Sequence, residues 1–581
     1  MRYFPQIILL LCSLFFGCEK KSSATPPNLI LIMTDDQGFG DLAIHGNPIV
    51  KTPNLDQLAS ESTQFERFYV SPLCAPTRAS LLTGRYHLRT GAVSVSNGLE
   101  TMNSKEYTLG ELFLDNGYRT GIFGKWHNGQ HYPNHPLAQG FEEFTGFSAG
   151  HWSNYFNSHL EKNGEELKFE GYLPDVLTDE AMDFIRKNKD QPFFAYLPLN
   201  TPHSPHQVPD KFFQPYKDAG LDDELAAIYG MVENIDWNVG RVMVLLEELA
   251  LDENTLVIFL TDNGPNGQRY NAGMKGIKGS IHEGGVRVPS FWRWKGKITP
   301  QQISTPAAHI DVMPTLAELF GLKSNAKSPW DGVSLVPVFE GKELESRPIY
   351  SHVAFLDKEL KSRPGAIRQD SFLLTLLPEG VSLFDLKNDP GQTQDLAQSY
   401  PDQVKSMEEK YQSWWNDVSV DIVMIRKIPV THKAKQIVLP AYEALLEGEV
   451  RFFEGHGWAQ DWVTNWKKQS DFVRWDLDVL DGGIFEVWIE YAASEKQTGH
   501  EWNLSNSNSS LSLGIEEEFI PELIESPDRI PRKEAPEQTW KKIRLGTMDF
   551  SKGNQTLTLR ATSISPEGAG DIFSVRLIPQ H

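Results

Sequence analysis

Residues 28–38 read NLILIMTDDQG, and residues 255–264 read TLVIFLTDNG. Each is an unbroken apolar run that stops at Thr-Asp and an acidic or amide residue. A strand buried on both faces has this texture, because neither side of it meets water, and such strands belong to parallel sheets covered by helices. Tyr118–Phe123 and Pro192–Leu199 are two more runs of the kind, and Val286–Trp294 is expected to be another strand. Between them, Ile228, Met231, Ile235, Val239, Val242 and Leu246 recur at helical spacing, which predicts a helix over about 222–250. The alternation predicts an α/β fold over residues 28–348, with helices on both faces of the sheet.

Outward from this domain the pattern changes twice. Residues 349–425 suggest a small α+β unit, with short strands around Ala366–Arg368, Phe372–Leu376 and Ser382–Leu386 before an amphipathic helix over Pro401–Trp415. Residues 426–450 begin with a basic, irregular stretch and are expected to form a linker. From 451 to 581 short alternating strands, such as Phe472–Leu477, Ile484–Tyr491 and Gln555–Arg560, are separated by Gly- and Asp-containing turns, the pattern of a β-sandwich. The Ser/Asn run Asn503–Ser510 is expected to be a loop.

At the other end, Arg2 precedes the apolar stretch Ile7–Phe16, too short to span a bilayer and suited to a signal peptide over residues 1–18. Its close, Leu14-Phe15-Phe16-Gly17-Cys18, resembles a bacterial lipoprotein cleavage site. That implies lipidation of Cys18, a tether over 19–27, and an exported lipoprotein held by its lipid anchor to a bacterial membrane, in the periplasm or at the cell surface. The formal charge of −22 speaks against a nucleic-acid partner. Of three cysteines, Cys12 leaves with the signal and Cys18 takes the lipid, so Cys74 stands alone in the mature protein. A lone cysteine in an oxidising compartment is either buried and inert or chemically used.

In an open α/β sheet, ligands bind beyond the carboxyl ends of the strands. There Asp35, Asp36 and Asp262 supply carboxylates and Asn263 an amide oxygen, a shell suited to a hard divalent cation such as calcium. Any one of these side chains could merely cap a turn; two matched segments at equivalent places favour the metal. After Phe123 come Lys125 and His127, and after Leu199 come His203 and His206, a cation and imidazoles at the same edge. In the segment 71–85, SPLCAPTRASLLTGR, Pro76 suits the first turn of a helix that Gly84 ends. Cys74 then sits at a helix N-terminus, which favours an anion, and Arg78 lies near with a bidentate fork.

Cys74-x-Pro76-x-Arg78 followed by Leu82-Thr83-Gly84-Arg85 resembles the signature of type I, formylglycine-dependent sulfatases, within the alkaline-phosphatase-like superfamily. Asp35-Asp36, Gly124-Lys125-Trp126-His127, Thr261-Asp262-Asn263-Gly264, Lys278-Gly279 and Glu283-Gly284-Gly285-Val286-Arg287-Val288-Pro289 follow the family in order, and the likeness runs to about residue 418. Thr77 replaces the commoner Ser, and Asn128 stands where Leu often follows the histidine. The resemblance implies a mixed, mostly parallel sheet and a sulfuric ester hydrolase. It implies that a formylglycine-generating or sulfatase-maturating enzyme oxidises Cys74, and that Asp35, Asp36, Asp262, Asn263 and the modified Cys74 hold one calcium ion. By the same likeness Arg78 and Lys125 orient the formylglycine diol that attacks sulfur. Lys125, Lys278 and His203 bind the sulfate, the last two supporting the departing oxygen, and His127 takes the proton that lets sulfate leave. The aromatic-rich segment 131–172, with Tyr132, Trp152, Tyr155, Phe156, His151 and His159, suggests a sugar substrate. The sandwich resembles carbohydrate-binding modules of bacterial polysaccharide-degrading carbohydrate sulfatases, which implies a sulfated poly- or oligosaccharide such as an algal polysaccharide. A phosphonate or phosphate ester hydrolase on the same scaffold, and a catalytically dead surface glycan-binding protein, remain as alternatives.

Overall fold

The computed structural model describes residues 26–354, 360–420, 422 and 426–580. The signal peptide, most of the tether and Cys18 lie outside the described residues. Among those described, no helix is long and apolar enough to cross a membrane.

Five parallel strands form the centre of a ten-stranded sheet, in the order Thr255–Thr261, Asn28–Thr34, Phe193–Pro198, Arg119–Lys125 and Glu143–Phe147. Their side chains alternate between two cores. Leu29, Leu31, Met33, Phe194, Tyr196, Leu256, Ile258 and Leu260 face one layer. Ile30, Ile32, Phe193, Ala195, Leu197, Val257 and Phe259 face the other, against the helices Leu173–Asn188 and Asp223–Glu248. The apolar runs are continuous because both faces are covered.

Val286–Trp294 is not one strand. Glu283–Val286 forms a helical turn, Arg287–Val288 pairs with Phe68–Tyr69, and only Ser290–Arg293 joins the main sheet, antiparallel to Thr255–Thr261. Pro289, which lacks an N–H to donate to a ladder, stands at the break.

Residues 349–418 form a four-stranded antiparallel sheet in the order Ile349–His352, Gly365–Gln369, Phe372–Leu377, Gly380–Asp385, with the helix Pro401–Val418 packed on it. Tyr69, Tyr86 and Ile310 of the large domain share that core.

The C-terminal region is a sandwich of two six-stranded sheets around Trp475, Trp502, Phe485, Leu557 and Val575. The expected linker is a correction, since much of 426–450 belongs to this sandwich. Ile428–Val430 pairs in parallel with Leu477–Val479, Ile437–Pro440 pairs antiparallel with Ser574–Leu577, and Ile428, Val430, Ile437 and Leu439 enter its core. The basic residues between these short strands masked their alternation. Those charges look back at the large domain, where Arg426 donates to Gly91 O at 2.7 Å and Lys435 pairs with Glu165 at 3.1 Å. The expected loop Asn503–Ser510 holds at residues 506–509, the turn of a hairpin whose strands His500–Ser505 and Ser510–Ile515 take the positions on either side.

Candidate active site

Neighbouring strands bring the acidic pairs together. Thr34 and Thr261 are register partners, so Asp35-Asp36 and Asp262-Asn263 leave the sheet side by side, and the Asp36 N–H donates to Asp262 Oδ1 at 3.2 Å. All four side chains are buried. Asp36 and His127 both hold positive φ, 62° each, which side-chain-bearing residues rarely adopt and which clusters at functional sites.

Cys74 heads the helix Cys74–Thr83 and is 2 % exposed. Leu73, at the N-cap, contributes no side-chain bond, so the first-turn amides keep their donor capacity toward the site. Gly84 closes the helix in the left-handed conformation, its N–H donating to Ser80 O at 2.9 Å. The Thr77 hydroxyl donates to Ser71 O at 3.1 Å, so this departure from Ser still anchors the turn. Asn128, the other departure, donates to Ala75 O at 3.0 Å and Glu100 O at 3.3 Å, tying the Cys74 helix to the Lys125 strand end.

Cations surround the carboxylates. Lys125 Nζ lies 2.5 Å from Asp35 Oδ2, Arg78 Nη2 lies 2.8 Å from Asp262 Oδ2, and Lys278 Nζ lies 2.7 Å from Asp36 Oδ1. His203 Nε2 is 3.7 Å from Asp36. Only Lys278 and His203 of this group retain exposure, 16 % and 14 % of their side chains, so they form the mouth. Burial opposes ionisation of Asp35, but Lys125, His203, Arg78 and Lys278 hold its carboxyl below the usual range. Asp36 is held down too, against burial, chiefly by Lys278. Asp262 goes the other way: burial and the Asp35 charge push it up to about 7. Burial raises the Cys74 thiol, partly offset by Lys125 and Lys278.

The residues fit a hard divalent cation. Ligand atoms of Asp35, Asp36 and His203, and of Asp35, Cys74 and Asp262, lie within 4.8 Å of one another. Asp35 Oδ1 and Asn263 Oδ1 are buried without a hydrogen-bond partner, although Asn263 Nδ2 donates to Asp36 Oδ1 at 2.8 Å. Unspent oxygen lone pairs beside a carboxylate pushed toward neutrality make a set that a cation relieves.

His127 is arranged as a base. Its Nε2–H donates to Val95 O at 2.9 Å, which leaves Nδ1 with a bare lone pair, and that atom is buried without a partner. Burial, then Lys125, keeps the ring neutral by lowering its pKa well below the ordinary value. Gly150 makes the fit possible, since a Cβ there would stand 2.5 Å from His127 Nε2.

Thus Asp35, Asp36, Cys74, Arg78, Lys125, His127, His203, Asp262, Asn263 and Lys278 all meet at one place. The aromatic segment divides. Tyr155 is fully buried, its hydroxyl donating to His203 O and Ser204 O at 3.0 Å, and Phe156 packs on Tyr172. His151 stacks parallel to His203 with centroids 6.2 Å apart. Tyr132, Trp152 and His159 instead line a cavity of about 690 Å³ between the large domain and the sandwich, with Trp540 and Phe573. Several of its ionisable groups pair across that boundary, among them His159 with Glu537 at 3.0 Å, His131 with Glu443 at 2.6 Å, and Arg576 with Glu166 at 3.1 Å.

Sequence reasoning missed the sandwich residues that approach the site. Glu534 accepts a hydrogen bond from Ser204 beside His203, and Trp458 meets His151 edge to face at 6.2 Å. Nothing local in either segment signals this, because both contacts span some 300 residues.

Residues 27–322 match the family described as Sulfatase. N-acetylgalactosamine-6-sulfatase of Canis lupus familiaris is 33 % identical over 380 residues, covering 59 % of this chain and 71 % of that protein. Steryl-sulfatase of Rattus norvegicus is 29 % identical over 435 residues, covering 58 % of this chain and 74 % of that protein. The crystal structure of Ps i-CgsB in complex with k-i-k-neocarrahexaose is similar with a TM-score of 0.63 and 31 % identity, over 69 % of this chain and 94 % of that one.

Proposed function

The chain belongs to the sulfatase family, with an alkaline-phosphatase-like fold and the activity of a sulfuric ester hydrolase, and from that premise we propose that it desulfates a carbohydrate through a formylglycine made from Cys74 and a bound calcium ion. The observation that carries the mechanism is Cys74 itself: buried at an uncapped helix start, within ligand distance of Asp35 and Asp262, and ringed by Arg78, Lys125 and Lys278. The carbohydrate part rests on the names of two relatives, an N-acetylgalactosamine-6-sulfatase and a protein bound to neocarrahexaose.

Asp35, Asp36, Asp262, Asn263 and the modified Cys74 would hold the ion, which when bound polarises sulfate oxygens and acidifies a nearby hydroxyl. Formylglycine supplies a hydrated aldehyde in place of a thiol as nucleophile. Arg78, fixed by Asp262 and by Lys125 O at 3.0 Å, orients that side chain without moving. Lys278 and His203, at the open mouth, bind the incoming sulfate and stabilise charge on the departing oxygen. His127 Nδ1 accepts the proton whose loss expels sulfate. A thiol or a single hydroxyl would have no second O–H to give up after attack and could not expel sulfate, which is why the site needs the modification.

Export as a lipoprotein is part of this reading, supported by the apolar stretch before Cys18. Radiolabelled palmitate incorporation that depends on Cys18 tests it. The function itself is tested by a panel of sulfated mono- and oligosaccharides with matched phosphate and phosphonate esters. Release of sulfate from sugars at the highest kcat/KM supports the proposal; preference for phosphonate esters overturns it.

A further inference from the structure

The C-terminal sandwich reaches the loops that carry His151 and His203. Asp528 accepts from Gln207 Nε2 at 2.8 Å, Arg529 donates to Val208 O at 2.7 Å, Arg532 donates to Ser153 O at 2.7 Å, and Gln460 Oε1 accepts from Ser153 N at 2.6 Å. Gln207 in turn accepts from Tyr155 N at 2.7 Å, so the loops carrying His151 and His203 are clamped to each other and to the sandwich. At the end of this clamp is Glu534, 4 % exposed, whose carboxylate accepts from the Ser204 hydroxyl. Ser204 O accepts from His203 Nδ1–H at 2.7 Å, and this bond fixes which nitrogen of His203 carries its proton and turns Nε2 toward Asp36. On the other side, His151 is held between His203 and Trp458 of the sandwich.

We propose that the sandwich is a working wall of the active site rather than a separable accessory module, and that Glu534 is a positioning residue that sets His203 through Ser204. The proposal rests on the sulfatase reading, because His203 matters only if it meets the sulfate. A buried carboxylate is costly unless it is hydrogen-bonded, and this one spends its bond on a loop of the catalytic domain. Its bond to the residue that holds the His203 ring, beside the stacked His151, distinguishes it from an ordinary seam contact. The Ser204 hydroxyl bonds Glu534, while its carbonyl takes both the His203 Nδ1–H and the Tyr155 hydroxyl, so Glu534 fixes the side-chain end of the residue whose main chain holds the His203 ring.

The test uses the full-length enzyme with formylglycine content matched by peptide mass spectrometry, assayed on 4-nitrophenyl sulfate, 6-sulfated N-acetylgalactosamine and carrageenan oligosaccharides. Glu534→Ala is expected to lower kcat by about ten- to a hundredfold with KM changed much less, as displacement of a group by an ångström does. Glu534→Gln keeps an acceptor for Ser204 and should retain most of the turnover. Ser204→Ala removes the same bond from the catalytic side and leaves the sandwich intact, so it should reproduce the loss, and the double variant should lose no more than either single one. Unchanged kcat in Ser204→Ala, or losses that multiply in the double variant, overturns the proposal even if Glu534→Ala fails to fold. Failure of the wild type to desulfate any of the three probes overturns the sulfatase reading instead.

Discussion

Calcium affinity should depend on pH through Asp262, and the structure fixes the sign. The Asp35–Asp262 pair cannot keep both carboxylates charged cheaply in a buried shell. Asp35 faces Lys125 at 2.5 Å and stays ionised, whereas Asp262 has Arg78 alone within pairing distance and rises from 3.8 to about 7. Below that value a proton must leave Asp262 before the ion is ligated, so binding releases about one proton. Apparent affinity should therefore rise about tenfold per pH unit, about 1.4 kcal/mol, from roughly pH 5 to roughly pH 7 and flatten above it.

Isothermal titration of the calcium-stripped enzyme at pH 5, 6, 7 and 8 measures this slope directly, and the heat in buffers of different ionisation enthalpy counts the proton. A thermal-shift series gives a second readout, since calcium at about one hundred times its Kd adds about 2.7 kcal/mol, a Tm rise on the order of 5 °C for a domain of this size. Asp262→Asn keeps an acceptor for Arg78 but removes both the ligand charge and the titration. It should bind calcium more weakly and with no slope in this window. A wild-type affinity that is flat between pH 5 and 7, or an Asp262→Asn variant that binds like wild type, would refute the assignment of the raised carboxylate to the metal shell.

Three further outcomes follow from single positions. Peptide mass spectrometry of active enzyme should find formylglycine at residue 74, and Cys74→Ala should abolish turnover while leaving Tm nearly unchanged, because residue 74 lies inside the helix start, after the Leu73 cap, where Ala is well suited; turnover by protein carrying only the thiol contradicts the mechanism. Gly150→Ala places a methyl against the His127 ring, 2.5 Å from Nε2, and should cut kcat about a hundredfold with circular dichroism unchanged; normal turnover would show that His127 is free to move aside. Ile437→Asp buries an unpaired carboxylate at a position 3 % exposed in the sandwich core and should destabilise that domain by several kcal/mol, on the order of 3 or more, read by urea denaturation; the tolerance expected of a solvated linker would contradict its place in the sheet.

The large domain was legible because its signals are local. An apolar run of five residues bounded by Thr-Asp reads as a doubly covered strand, and the chemistry sits just beyond it. Asp35, Lys125, His203 and Asp262 could therefore be placed at one sheet edge before any contact was known. Where a local rule was overridden, the cause is a particular residue. Pro289 breaks the expected strand, and Lys433 and Lys435 hide two three- or four-residue strands whose partners lie some fifty to one hundred forty residues on.

What the sequence could not show is the meeting of distant segments. Glu534 and Trp458 carry no motif, and the runs around them read as surface loops of a sandwich. They acquire a role only because Gln207 and Asp528 pair across the domain seam and Arg532 reaches Ser153. A separable glycan-binding module would share few buried polar contacts with the catalytic loops. This sandwich instead satisfies main-chain groups of the loops that carry His151 and His203, and His203 is one of the two partly exposed members of the site. Carboxylates and cations near the sheet are held by the sheet itself, whereas the His203 side of the mouth, built on a loop, is bonded to the neighbouring domain. The division explains how a chain can keep its catalytic residues legible in local motifs and leave the fitting of its substrate to a partner domain that the motifs do not mention.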